Sequence, residues 1–268
     1  MPIFQKDHLV LHYQIFGSGP EKVVAYHGFS RTSQDYAVYQ DFCQSKYTIY
    51  AVDLFYHGKS KIDGRKLRSF SKESLRDLLT EFYQHLKLDR FSVIGYSMGG
   101  RIALFTLEQF ASQMDHLYLL APDGLKNNFW HWLVTNTKTG KAIYGFTIKN
   151  SGWVGKVANA GIKMKILPPK IDKFLSLNFG TAGARLRVYR VWKLYQNIDF
   201  EHEVLAKIVR QHSLKIDLVI GKKDPVIAPE ICKSFQKTIG SNCTLHVIDA
   251  GHDLFKPHAL EYLQEKIF

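Results

Sequence analysis

The chain has 268 residues, 46% of them hydrophobic and 13% aromatic, so it can bury a sizeable core as one large catalytic domain carrying an inserted piece. Its three cysteines, Cys43, Cys232 and Cys243, are an odd number with neither CxxC nor metal-ligand spacing, which argues against a disulfide framework and fits a reducing compartment. The formal net charge of +12 is uneven: over 124–210, 15 Lys and Arg stand against Asp172, Asp199, Glu201 and Glu203, a balance of +11, and no nucleic-acid-binding motif accompanies them.

Residues 1–10 carry Lys6, Asp7 and His8 where a signal peptide needs an apolar run, and no stretch approaches the length of a membrane span. A soluble, unprocessed, cytoplasmic protein is expected. Residues 8–16 alternate and end at Gly17-Ser18-Gly19-Pro20, an early strand closed by a turn. The runs 22–26, 48–52, 91–94 and 117–120 are of buried-strand type, and 214–220 and 244–248 repeat the pattern. Between them, 72–86, 99–110, 229–238 and 257–267 have helical spacing, with Pro229 and Pro257 suited to first-turn positions. This alternation predicts an α/β fold with a mostly parallel sheet flanked by helices. It lapses in the middle, where all four tryptophans, Trp130, Trp132, Trp153 and Trp192, fall and where 186–195 suggests a helix. Residues 124–212 are therefore read as a mostly helical cap inserted into a core of 1–123 and 213–268.

Gly95-Tyr96-Ser97-Met98-Gly99 matches the G-x-S-x-G nucleophile elbow, with a strand run before it and a helical pattern after it. Small residues at 95 and 99 let strand and helix approach closely, which makes Ser97 the candidate nucleophile. Gly251-His252-Asp253 follows the last strand run, and Asp224 follows the run 214–220. His252 would take the Ser97 proton and pass it to the leaving group, while Asp224 would orient the imidazole. Asp123, at the end of 117–120, is the rival acid; Asp249 and Asp253 are too close in sequence to His252 to serve. The twelve histidines include no H-E-x-x-H pattern, and the one H-x-x-x-H spacing, His8 and His12, falls in the alternating run 8–16 and not on a helical one, so neither metal nor cofactor is expected.

Together with the loop Asp53-Leu54-Phe55-Tyr56-His57-Gly58-Lys59-Ser60, which is similar to D-x-x-G-x-G-x-S with Tyr56 where a Gly often stands, these elements resemble the α/β-hydrolase fold superfamily over nearly the whole chain outside the insertion. The resemblance implies the chain order Ser, Asp, His found here. It also implies that His27-Gly28-Phe29-Ser30 forms half of an oxyanion hole, with the backbone N–H groups of Phe29 and Met98 as donors and His27 in a structural role. Dehalogenases and epoxide hydrolases of this fold use an Asp nucleophile, so Ser97 sets both aside. Acyl transfer to water, as in carboxylesterases, is the implied chemistry. The segment Gly95–Arg101 with His27-Gly28-Phe29 is also similar to the menaquinone-pathway synthase that eliminates pyruvate, in which the histidine abstracts a proton and arginines hold a polycarboxylate; Arg101 matches the position after the elbow. A ligand-sensing receptor that keeps the triad is a third possibility for this fold.

Caps of this fold sit over the nucleophile and set substrate choice. The basic, Trp-bearing cap has three readings: capture of an anionic acyl substrate, contact with an anionic membrane surface, or a solvated basic face with tryptophans packed inward. The expected partner is a small acyl substrate, with Tyr96, Arg101, Trp130, Trp132, Arg185 and Arg190 as candidate substrate-binding residues.

Overall fold

In a computed structural model, which describes residues 2–40, 45–62, 69–126, 129–150 and 178–268 and only the helix backbone at 129–131, the apolar runs of the sequence form one mostly parallel sheet. Its strands are β1 (Ile3–Lys6), β2 (Leu9–Phe16), β3 (Glu21–Tyr26), β4 (Tyr47–Val52), β5 (Lys61–Ile62), β6 (Phe91–Tyr96), β7 (Met114–Leu120), β8 (Lys215–Gly221) and β9 (Cys243–Ile248). Their order is β1-β2-β4-β3-β6-β7-β8-β9, with β5 beside β2. From β4 to β9 the neighbours run parallel, and β1, β2 and β5 make an antiparallel edge. Every residue of β6 is buried, as a central strand covered on both faces requires, whereas β9 at the margin is half-exposed.

The helices follow the spacing of their apolar residues. Helix α1 (Lys72–His85) starts where the Ser71 hydroxyl accepts the Ser74 N–H, and it buries Leu75, Leu78, Leu79, Phe82 and Tyr83 along one stripe. Helix α2 (Met98–Phe110) is buried on nearly all sides and packs against β3, β6 and β7. Further along come α3 (Phe129–Asn136), α4 (Lys138–Lys149), α5 (Ala182–Leu194), α6 (His202–His212), α7 (Pro229–Ile239) and α8 (Pro257–Lys266), the last two opening on their prolines. Among the described residues no helix is long and apolar enough to cross a membrane. Cys232 and Cys243 are buried free thiols, and Cys43 lies outside the described residues.

The chain divides into two compact units: Met1–Arg65, Ser71–Lys126 and Ile198–Phe268 in the first, Lys66–Phe70 and Asn127–Asn197 in the second. This division differs from the sequence boundary of 124–212 at three places, the first being that residues 124–126 stay in the first unit. Helix α6 belongs to the first unit, because its Leu205, Ala206 and Val209 are buried and it packs with α2 and α7. Conversely, the segment ending at Phe70 joins the second unit: the Phe70 N–H donates to the Leu194 carbonyl (2.8 Å), the Asn197 amide donates to the Phe70 carbonyl (3.0 Å), and the Phe70 ring stacks on Tyr195. Neither pairing leaves a local mark in the sequence.

Candidate active site

The parallel strands send their following loops to one edge of the sheet, where an open α/β sheet presents its ligand crevice. Four of those loops, after β3, β6, β8 and β9, supply the candidate residues.

Ser97 lies between β6 and α2 with φ 49° and ψ −117°, a left-handed conformation that costs a non-glycine residue of order 1–3 kcal/mol. The surroundings over-determine it. The Ser97 N–H donates to the Leu120 carbonyl (2.9 Å), and the Ser97 carbonyl accepts the N–H groups of Gly100 (2.8 Å) and Asp123 (2.8 Å). A side chain at Gly99 would collide with the Tyr26 carbonyl, and one at Gly95 would come within 2.5 Å of the Ala103 Cβ. The small residues of the motif are thus required by close approach of strand and helix.

The Ser97 Oγ is 2.9 Å from His252 Nε2, and His252 Nδ1 is 2.7 Å from Asp224 Oδ2. Asp224 turns its other oxygen to the backbone, accepting the N–H groups of Val226 (2.7 Å) and Ile227 (2.9 Å), so its side chain is fully buried yet hydrogen-bonded at both oxygens. The loops that carry the acid and the base are laced together by the Lys222 N–H to the Ile248 carbonyl (2.8 Å) and the Lys223 N–H to the Ala250 carbonyl (2.9 Å).

Asp123, the rival acid, has a different partner. Arg101 Nε and one terminal nitrogen donate to its two carboxylate oxygens at 3.0 and 3.3 Å, while the other terminal nitrogen donates to the Ile198 carbonyl at 2.6 Å. Arg101 is therefore a buried internal link and not an open anion receptor, a departure from its expected substrate contact. Arg185 departs in the same way. It is 1% exposed in the second unit, donates to the Phe179 (2.5 Å) and Ile148 (3.2 Å) carbonyls, and its own carbonyl accepts the Tyr144 hydroxyl (3.1 Å). Two of its N–H groups are thus spent on backbone carbonyls, and the side chain is closed off from solvent. Tyr96, also expected at the substrate, is buried with its hydroxyl donating to the His252 carbonyl (3.0 Å), and burial pushes its phenol well above the ordinary value.

Met98, next to the nucleophile, is the first residue of α2, where helical geometry leaves N–H groups without an intrahelical acceptor. The loop of Phe29 runs directly beside it: a Cβ on Gly28 would lie 3.1 Å from the Ser97 Cβ and 2.6 Å from the Tyr96 ring. His27 holds this loop from within. Its Nε2 accepts the Leu54 N–H (2.9 Å), which leaves Nδ1 to donate to the Gly28 carbonyl (2.7 Å), and burial lowers its pKa, so it is a neutral structural imidazole. Asp53 braces the neighbouring turn by accepting the N–H groups of Ser33 (2.7 Å) and Lys59 (2.8 Å). Burial alone would raise the Asp53 carboxyl, but these bonds and His12 hold it below its usual range.

A family model described as the alpha/beta hydrolase fold matches residues 7–259. The chain belongs to this family. Within it, the chain is 22% identical over 267 residues to a protein named uncharacterized hydrolase YugF of Bacillus subtilis (strain 168), covering 94% of this chain and 93% of that one. A putative 2-succinyl-6-hydroxy-2,4-cyclohexadiene-1-carboxylate synthase of the same organism is 31% identical over 96 residues, 35% of this chain and 34% of its own length. Among solved structures, a thermophilic esterase from Thermogutta terrifontis shares the fold with a TM-score of 0.66 at 17% identity, over 97% of this chain and 92% of that one. Family and relatives together support a hydrolase.

In the second unit, Trp132 and Arg190 are exposed, and Trp192 packs against Tyr144 and Phe179. Only the backbone of Trp130 is described, and Trp153 lies outside the described residues. Among the described residues no group of three or more His, Cys, Asp or Glu side chains is arranged to hold a metal. Arg31, which the sequence did not single out, lies over the Tyr96 ring and pairs with Asp253, the residue set aside as a triad acid.

Proposed function

We propose that this protein is a serine hydrolase that cleaves a small ester or thioester by acyl transfer to Ser97 and then to water. The observation that carries this is the continuous line from the Ser97 hydroxyl through His252 to Asp224, with Ser97 held on a strained turn. In the first step His252 Nε2 takes the proton from Ser97 Oγ as that oxygen bonds to the acyl carbon. The carbonyl oxygen becomes an oxyanion facing the N–H groups of Met98 and Phe29, donors that each contribute about 10² to 10³ in rate when preorganised. The imidazolium, stabilised by Asp224, then gives its proton to the departing alkoxide or thiolate. Water repeats the sequence in reverse, leaving the carboxylic acid and free Ser97.

Elimination of pyruvate by proton abstraction is the weaker alternative, since it needs arginines that meet a polycarboxylate, and Arg101 and Arg185 are already engaged by Asp123 and backbone carbonyls. A fluorophosphonate probe tests the proposal directly: the wild-type protein should be labelled at Ser97 and should turn over members of a panel of short-chain, long-chain and carboxylate-bearing esters. A folded protein that neither labels nor hydrolyses any of them would overturn it.

A further inference from the structure

Arg31 sits at the end of the loop that carries Phe29 and reaches two other catalytic loops at once. The turn that presents it is tight, with Ser30 at φ 58° and the Arg31 N–H donating to the Gly28 carbonyl (3.3 Å). One end of the guanidinium donates to Asp35 (3.1 Å) within its own stretch of chain; the other donates to Asp253 (2.5 Å), the residue after His252. Its central carbon lies over two rings, 5.4 Å from the centre of Tyr96 and 4.8 Å from that of Phe255, which themselves meet edge-on at 5.0 Å. Tyr96 in turn holds the His252 carbonyl, and the Asp253 carboxylate that Arg31 grips also accepts the Phe255 N–H (3.2 Å).

We infer that Arg31 is a positioning residue, a clasp that fixes the separation between the Phe29 N–H donor and the His252 imidazole by joining Asp253 and Tyr96 to the oxyanion loop. The inference rests on the ester-cleaving assignment above. A forked cation suits this place better than an ammonium, because it can address two carboxylates while its central carbon stays over the aromatic rings. The Asp253 arm crosses 222 positions of sequence to reach the base-bearing loop, whereas the Asp35 arm stays local, so the two arms separate positioning from mere stabilisation.

The distinguishing experiment uses Arg31→Met, Asp253→Ala and Asp35→Asn in the full chain, with kcat, KM and melting temperature measured for each. Misplacing a catalytic group by an ångström costs up to about 10² in rate, so Arg31→Met and Asp253→Ala should each lower kcat by about 10- to 100-fold. Because the displaced groups act on the transition state, KM should stay within about twofold, and the double variant should be no worse than the poorer single one. Asp35→Asn should lower the melting temperature while keeping kcat within about twofold of wild type. Losses of kcat that merely track melting temperature across all three, or an unchanged kcat in Asp253→Ala, would overturn the clasp. Hydrogen exchange provides a readout independent of turnover: segments 28–33 and 252–255 should both exchange faster in Arg31→Met and Asp253→Ala, but only 28–33 in Asp35→Asn. If the wild type fails to label with fluorophosphonate, the hydrolase proposal falls and the exchange pattern alone still decides the clasp; exchange confined to 28–33 in Arg31→Met refutes it.

Discussion

Strand β8 carries an imidazole–carboxylate pairing near each end, and the two are put to different uses. Beyond its carboxyl end, Asp224 holds one nitrogen of His252 while the other faces the Ser97 hydroxyl. Near its start, Asp217 accepts from His116 of β7 and His246 of β9, both at 2.7 Å, so that one carboxylate staples three strands. The outer nitrogen of His246 meets the Tyr262 hydroxyl of α8 (2.9 Å), and the His116 ring lies flat on Tyr118. An Asp–His pair is therefore no signature of chemistry in itself. What distinguishes the first is the group at its outer end, a hydroxyl held on a strained turn beside backbone donors.

Removing that group should produce the largest effect. Ser97→Ala is expected to lower kcat for an active ester by at least about 10⁴-fold and to abolish fluorophosphonate labelling, with an unchanged melting temperature. Next, Asp224→Asn should reduce kcat by about 10² to 10⁴ by leaving His252 in the wrong tautomer. Its counterpart, Asp123→Asn, should leave kcat within a few-fold but cost about 1–2 kcal/mol of stability, because the buried Arg101 loses its charged partner. Steady-state kinetics and denaturant melts on this pair decide which carboxylate serves the imidazole; a kcat loss in Asp123→Asn larger than in Asp224→Asn reverses the assignment.

The smallest effect is expected at the other end of β8. Asp217→Asn should leave turnover unchanged and lower stability by about 1 kcal/mol. Burial by itself would raise the Asp217 carboxyl, but hydrogen bonds from His116 and His246, and their charge, hold it below its ordinary value. A carboxyl with a lowered native pKa stabilises fully above its unfolded value of about 3.9 and loses that contribution as pH falls through the native value. Melts of wild type and variant should therefore differ near neutrality and converge below about pH 4. A gap that widens on acidification would break the comparison.

Much of this was legible in the sequence because the deciding signals were local. The elbow announces itself through glycines whose absent side chains make the packing possible, and the strand runs follow from continuous apolar residues in a sheet covered on both faces. The illegible part is pairing across long stretches of chain. Arg101 and Arg185 read as anion receptors until their partners, Asp123 and backbone carbonyls, are seen. Tyr96 reads as a pocket residue, yet its hydroxyl serves the backbone of His252. Helix α6 follows a basic stretch and reads as part of the insertion, although its apolar stripe packs with α2 and α7. Nothing in the composition around Arg31 sets it apart from any other surface arginine.

The link made by Arg101 has an evolutionary meaning. Asp123 stands just before the chain leaves the first unit, and Ile198 is where it returns, so a single side chain on the helix that begins at the elbow grips both margins of the intervening segment. Such a link lets selection lengthen, recharge or replace the segment between those margins while the turn that carries Ser97 keeps its shape. The catalytic apparatus and the piece between those margins can in this way change at different rates.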